Sequence, residues 1–183
     1  MKNYKILLIA AIAAIASGCS TTNSIPYKVS TSNVIAIQQA LESQAKEVSV
    51  GTVSMKEGVE ESPTCRLMGP IKVAPGKTLA DYIKDAFIEE LFMAQAYSPT
   101  SQSQISAQID DINFSSVSPA SWDIAMTVSS SNSTSYSVSV NYNFDTSWDA
   151  YSACKNVADA FGPAVQALLG EVVTHPDFPL LAN

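Results

Sequence analysis

Few side chains in this sequence have the types and spacing that catalysis requires. A single histidine, His175, stands beside a proline near the C-terminus, and no Gly-x-Ser-x-Gly segment supplies the nucleophile of a Ser-His-Asp triad. The carboxylates Asp110 and Asp111, with Asp123 further on, are the best candidates for acid–base chemistry of the glycosidase type. Neighbouring residues of a regular strand point to opposite faces, so these carboxylates would share a site only across a bulge. We therefore expect a solvated, bulged strand here, and no catalytic residue, metal or cofactor.

The first 19 residues carry the chemistry of export and attachment. Lys2 and Lys5 precede an apolar run over residues 6–16, which is shorter than the ~20 residues of a membrane-spanning helix and is typical of a secretory signal. The run ends in Ala16-Ser17-Gly18-Cys19, which resembles the lipobox of bacterial lipoproteins. The resemblance implies that residues 1–18 are removed as a lipoprotein signal peptide and that Cys19 is acylated. The alternative is an ordinary signal whose cleavage leaves Cys19 as a free thiol.

The same resemblance carries an expectation about location. In enterobacterial sorting, an aspartate after the lipidated cysteine retains the protein at the inner membrane, and here Ser20 follows Cys19. This implies an outer-membrane protein that faces the periplasm, held stably because several acyl chains bind where one binds only marginally. Residues 19–32 are polar and short-sided and predict a tether, with a single domain over residues 33–183.

The two remaining cysteines form an even pair in a chain that is exported. Cys65 and Cys154 are therefore predicted to form a disulfide, which suits an oxidising compartment. The closed loop of about 88 residues corresponds to roughly 4–5 kcal/mol in the chain-entropy model. The alternative is two buried free thiols, and two cysteines do not supply the four ligands of a structural zinc site.

The charge balance excludes nucleic acid as a partner. Without the two lysines of the leader, the remaining 165 residues hold 8 basic and 17 acidic side chains, a net charge of −9. Binding of phosphate backbones needs clustered lysine and arginine. The simplest interpretation of the acidity is that the net negative charge keeps the protein soluble.

Helical periodicity appears in three places. A short helix capped by Asn33 is predicted to reach about residue 45, and a longer one follows an approximate capping box made by Thr78 and Asp81. Residues 147–173 repeat the apolar spacing of an amphipathic helix. Gly162-Pro163 interrupts this last stretch and predicts a kink or two abutting helices, because proline lacks a backbone donor.

Alternation of apolar and polar residues predicts four strands. Residues 48–54 form the first, and residues 105–114, 122–128 and 136–144 form an antiparallel meander. The last strand presents a row of small polar side chains, which with an aromatic residue beyond the strand make a possible binding surface: Ser135, Ser137, Ser139, Asn141, Asn143 and Trp148. The alternative is the solvent-facing side of a sheet. The order of elements predicts an α+β two-layer sandwich, in which two long amphipathic helices cover one face of a mostly antiparallel four-stranded sheet.

A wider resemblance joins these features. The lipobox, the helix-covered sheet and the segments LADYIKDAFIEEL (residues 79–91) and ACKNVADAF (residues 153–161) resemble small uncharacterised Gram-negative envelope lipoproteins of the YajG type. More loosely, they are similar to the lipoprotein partner of the lipopolysaccharide-assembly porin. The resemblance spans residues 46–173 in element order and implies a non-catalytic accessory role in envelope assembly or transport.

The sequence thus predicts a lipid-anchored binding protein of the outer membrane. Its partners would be the membrane, through the N-terminal lipid, and an envelope protein. A glycan- or lipid-binding module, which would use the Ser/Thr/Asn-rich face or a cleft between helices and sheet, is the alternative. An enzyme that uses Asp110 or Asp111 is a third hypothesis.

Overall fold

A computed structural model describes residues 21–22, 26–41 and 46–183 of the chain, so the leader and Cys19 lie outside the described residues. The elements, in chain order, are β1 (Thr21–Thr22), α1 (Thr31–Leu41), β2 (Ser49–Met55), β3 (Ile71–Lys72), α2 (Leu79–Met93), β4 (Gln104–Ser115), β5 (Ala120–Ser130), β6 (Ser135–Phe144), α3 (Ala150–Thr174) and a 3-10 helix (Phe178–Ala182). Within these ranges, no helix combines the length and the apolar character needed to cross a bilayer.

The main sheet has the strand order β2-β4-β5-β6. Strands β4, β5 and β6 form the predicted antiparallel meander, whereas β2 runs parallel to β4 because the connection between them crosses over through α2. The register of β4 against β5 shifts between Ile109 and Asp111, which confirms the predicted bulge. The α+β sandwich is therefore confirmed as one mostly antiparallel sheet packed against helices.

The core lies between the helices and the apolar face of the sheet. Trp122 of β5 is completely buried, packs against Phe161 of α3 at 4.9 Å between ring centroids, and donates its indole N–H to the carbonyl of Val157 over 2.8 Å. The predicted capping box at the start of α2 is present, since Thr78 and Asp81 each accept a hydrogen bond from the other's backbone N–H. Local capping chemistry and side-chain periodicity thus agree with the fold.

Helix α3 continues through Pro163 as one helix of 25 residues, so of the two predicted alternatives, a kink or two abutting helices, the second is wrong. Proline removes one backbone donor from the ladder, but residues on both sides of it, Phe161, Ala164 and Val165, are completely buried. Packing of this long apolar face against the sheet and α1 holds the helix together where its local sequence is weak.

The N-terminal boundary also differs from the prediction. Helix α1 begins at Thr31, and Asn33 is buried inside it rather than capping it. The predicted tether, residues 19–32, is in part built into the fold: Tyr27 packs edge-on against Tyr82 of α2 at 6.1 Å, and β1 pairs in parallel with β3, Thr21 opposite Ile71. The polar, short side chains of this segment predicted a linker, but the segment makes tertiary contacts with α2 and β3.

Candidate binding surfaces

The lone histidine serves the end of a helix. His175 is the C-cap of α3, its ring stacks on that of Tyr136 at 4.0 Å with 3° between the planes, and its Nδ1 accepts a hydrogen bond from the backbone N–H of Asp177 over 3.2 Å. Burial raises the pKa of Tyr136, whose hydroxyl donates to the carbonyl of Val172 over 2.8 Å. Both rings therefore fasten the C-terminal end of α3 to the sheet edge strand β6.

The carboxylates of the bulge each have a structural partner. Asp110 accepts a hydrogen bond from the hydroxyl of Thr127 over 2.6 Å, and Asp111 accepts one from the amide of Asn113 over 2.6 Å. Asp123 accepts from the hydroxyl of Ser121 and from the amide of Asn141. Among the described residues, no group of three or more His, Cys, Asp or Glu side chains is arranged to hold a metal ion.

The polar row of β6 is present as a surface. Its five members, Ser135, Ser137, Ser139, Asn141 and Asn143, are all exposed. The hydroxyl of Ser137 lies 2.8 Å from that of Thr127 on β5, so the row is tied to its neighbouring strand by side-chain hydrogen bonds. Trp148 does not join this face, because it stands in the loop between β6 and α3 and borders a different groove.

The disulfide joins two elements near that loop. Cys65 and Cys154 are bonded, with their Cα atoms 5.8 Å apart, which confirms the predicted pair. Both are completely buried. The bond fastens a tight hairpin over residues 64–70, closed by the bridge between Thr64 and Pro70, to the first turns of α3.

Arg66 completes this junction. Its backbone has φ +50°, a left-handed conformation that is uncommon outside glycine. Its guanidinium donates to the hydroxyl and the carbonyl of Ser116 (3.1 and 2.8 Å) and to the carbonyls of Ser147 and Trp148 (3.3 and 3.2 Å). One side chain therefore holds three loops together: the hairpin of residues 64–70, the β4–β5 turn and the β6–α3 loop.

Exposed apolar side chains gather around this junction. Among the described residues, eight large apolar side chains are exposed, and four of them lie within three residues of Arg66 or of the residues that it binds: Leu67, Val117, Trp148 and Tyr151. We call these four the apolar end patch. Leu67 and Trp148 have relative accessibilities of 102% and 101%, and a groove of about 480 Å³ runs between Arg66, Val117 and Trp148.

A buried carboxylate fastens the N-terminal segment to α2. Glu90 is completely buried, and its Oε1 accepts hydrogen bonds from the hydroxyl of Tyr27 (2.6 Å), the amide of Asn33 (3.1 Å) and the backbone N–H of Ser30 (3.3 Å). Its Oε2 is buried without a hydrogen-bond partner among the described residues. Burial raises the pKa of Glu90, against the opposing effect of the three hydrogen bonds.

Sequence reasoning did not single out Glu90, although a signal was present. Position 90 lies four residues after Ala86 and three after Phe87, so it shares the apolar stripe of α2. A glutamate at this position is therefore expected on the buried face of the helix, where a charged residue is unusual. Arg66 had no such signal, because the carbonyls that it binds are 50 or more positions away.

Comparisons with known proteins give a distant likeness. No protein-family model and no curated protein matches the sequence. Among solved structures, the chain is similar to the protein XCC0632 from Xanthomonas campestris, assigned to the family model DUF330, with 11% sequence identity and a TM-score of 0.47 over 84% of this chain and 94% of that chain. At this identity and TM-score the likeness carries no argument about what the chain does.

Proposed function

We propose that this chain is a lipid-anchored protein of the bacterial cell envelope that binds another envelope protein and carries out no catalysis. The leader and its lipobox-like end support the anchor, and the bond between Cys65 and Cys154 suits a protein exported to an oxidising compartment. The outer membrane is the proposed location, with the domain facing the periplasm.

The observation that carries the binding role is the edge strand β6. It is ten residues long, ends the sheet, and contains no charged residue and no proline. Exposed edge strands usually carry lysine, proline or a bulge, because their unpaired N–H and C=O groups attract other strands. An unprotected edge is the feature that strand addition by a partner requires.

The open face beside this edge has a composition that favours binding. None of β4, β5 and β6 contains a lysine, arginine or glutamate, whereas a face selected only for solubility usually carries these long side chains. Serine, threonine and asparagine lose less rotamer freedom than lysine, arginine and glutamate do when a partner covers them. A partner segment that pairs with β6 would therefore meet a rigid surface whose ordering costs little.

A glycan-binding role has less support from the geometry. The aromatic side chains of β6, Tyr136, Tyr142 and Phe144, alternate with the polar row and belong to the core side or its margin. The open face is thus left without an aromatic platform, and binding sites for small ligands are usually concave and lined by such groups.

The anchor and the edge are tested separately. Mass spectrometry of the mature protein from cells should find an acylated Cys19, and a Cys19→Ser variant should leave the membrane fraction. An unmodified Cys19 would refute the anchor and leave the binding role intact.

For the edge, affinity capture from solubilised envelopes should return a stoichiometric protein partner. Two lysines on the exposed face beside the edge, Ser139→Lys and Asn143→Lys, should abolish capture without changing the melting temperature. Ser62→Lys, in an exposed loop, is the matched control. Equal capture by the double variant, or no stoichiometric partner of the wild-type protein, would refute binding through β6.

A further inference from the structure

The segment that leads to the anchor is paired with the domain almost up to the anchor itself. Thr21 lies opposite Ile71 in a parallel pair, and paired strands are about 4.8 Å apart. Only two peptide links separate Thr21 from Cys19, so their Cα atoms are at most about 7 Å apart. If Cys19 carries lipid, as the proposed function holds, the acyl chains start within a short distance of Ile71, and the domain lies directly against the bilayer.

The direction of this pairing selects one end of the domain. Because β1 and β3 are parallel, the direction from Thr22 back to Thr21 is also the direction from Lys72 back to Ile71 and on towards Pro70. That direction leads into the hairpin of residues 64–70, where the backbone N–H of Cys65 donates to the carbonyl of Gly69 over 3.0 Å. The N-terminal end of β1 therefore points to the side of the molecule that carries this hairpin and Leu67, and the attachment point at Cys19 lies within about 7 Å of that end.

The apolar end patch has the chemistry of a membrane-facing tip. Tryptophan and tyrosine are enriched at the level of lipid headgroups, because each has an apolar ring and a polar N–H or O–H group that can remain hydrated. Leu67, Val117 and Trp148 are exposed on the three loops that the bonds of Arg66 hold together. Tyr151 is exposed in the first turn of α3, directly after one of these loops. Rigid loops lose little entropy on insertion, so the apolar area that they bury is retained as binding energy.

Charge does not explain attraction of this end to a membrane. The mature chain is acidic, Asp149 beside Trp148 has its pKa lowered by hydrogen bonds from Ser152 and Ser147, and the guanidinium of Arg66 is already bound to carbonyl groups. Insertion must therefore be driven by apolar burial, and high salt should not weaken it, because salt screens only charges and the acidic chain has no attraction to an anionic membrane to lose.

We propose that the apolar end patch inserts into the interfacial layer of the bilayer that holds the acyl chains of Cys19, and so seats the domain upright on the membrane. The opposite end of the sheet then points away. Phe92 and Met93 mark that end: they close α2, and Ala96 beyond it accepts a hydrogen bond from Val48, the residue before β2. Strand β4 alone, at about 3.3 Å per residue, separates the two ends by nearly 40 Å.

The experiment uses the mature chain from residue 19, attached through Cys19 to a thiol-reactive phospholipid. Cys65 and Cys154 are bonded to each other, so Cys19 is the one free thiol of the chain's three cysteines. Seating is then tested whether or not cells acylate the protein, and its failure is distinct from failure of the anchor. The vesicles contain phosphatidylethanolamine and phosphatidylglycerol, and their acyl chains are either brominated or not. Brominated chains quench the emission of a tryptophan only on close contact, and the unbrominated vesicles are the reference.

The chain has two tryptophans, and Trp122 is enclosed in the core. Brominated vesicles should remove the emission of Trp148 at low and at high salt, and a Trp148→Phe variant should show no quenching. The matched control adds Phe92→Trp to Trp148→Phe, which places the exposed tryptophan at the opposite end and should also be unquenched. Equal quenching at both positions, or no quenching of Trp148 in protein that floats with the vesicles, would overturn the proposal.

Discussion

The buried carboxylate of Glu90 offers the sharpest test of how the N-terminal segment is held. Glu90→Ala removes the acceptor of three hydrogen bonds from Tyr27, Asn33 and Ser30. One hydrogen bond contributes about 1 kcal/mol, so loss of three should lower the free energy of unfolding by about 3 kcal/mol. For a domain of this size that corresponds to a melting temperature lower by roughly 6–12 °C.

Glu90→Gln separates the hydrogen bonds from the charge. The glutamine oxygen accepts the same three hydrogen bonds, so at acidic pH we expect a change of about 1 kcal/mol or less. Burial raises the pKa of Glu90 in the folded protein above its ordinary value of 4.5, so the folded state holds this proton more tightly than the unfolded state does. The stability that the protonated carboxyl contributes is complete below the unfolded pKa and is lost as the pH rises through the folded pKa. The wild-type protein should therefore lose stability relative to Glu90→Gln above about pH 4.5.

The assay is denaturant unfolding of the mature protein at a series of pH values, followed by tryptophan fluorescence, which changes on unfolding because Trp122 is buried in the core. Glu89→Gln, on the exposed neighbour of Glu90, is the control and should change stability by about 0.5 kcal/mol or less. A difference between the wild-type protein and Glu90→Gln that does not change with pH would show that burial does not dominate the titration of Glu90. Equal stability of Glu90→Ala and Glu90→Gln would refute the role of the hydrogen bonds.

Three further substitutions test the packing of the fold. Cys65→Ser should lower the free energy of unfolding by about 4–5 kcal/mol, because it opens a long loop. Reductant should lower the melting temperature of the wild-type protein as much as this substitution does. An unchanged melting temperature in either case would count against the disulfide. Gly162→Ala should destabilise the protein, since the new Cβ would lie 2.9 Å from the hydroxyl of Tyr82. This clash should outweigh the gain of about 1 kcal/mol in helix propensity. A higher melting temperature would mean that the Tyr82 ring can move. Thr78→Ala should cost about 1 kcal/mol through loss of the helix cap, measured by denaturant unfolding, and no loss would show that the cap contributes nothing.

Much of the fold was predictable because its signals are local. The alternation in β5 and β6, the bulge at Asp110 and Asp111, and the capping box at Thr78 each depend on residues within a few positions of one another. The sandwich follows from these signals, because an apolar face of a sheet and an apolar stripe of a helix must bury each other. The disulfide was predictable by a different argument, the even number of cysteines left after Cys19.

The candidate sites could be predicted only in part. The polar row of β6 was found from its alternation, but the absence of a strand beyond β6 depends on the strand order of the whole sheet. Trp148 was grouped with that row, but it stands in the loop between β6 and α3 and borders a different groove. Its neighbours Leu67 and Val117 are 81 and 31 positions away, and no periodic pattern connects them.

The leader-like start, the elements and the faces that they bury can all be found in the amino-acid sequence, since they follow from side-chain type at short spacing. Three features depend on long-range contacts: Glu90 holds the N-terminal segment, Arg66 joins three loops, and Thr21 pairs with Ile71. Each of these contacts joins residues about 50 or more positions apart, and polar side chains that meet over such separations leave no repeating pattern for a reader of the sequence to find.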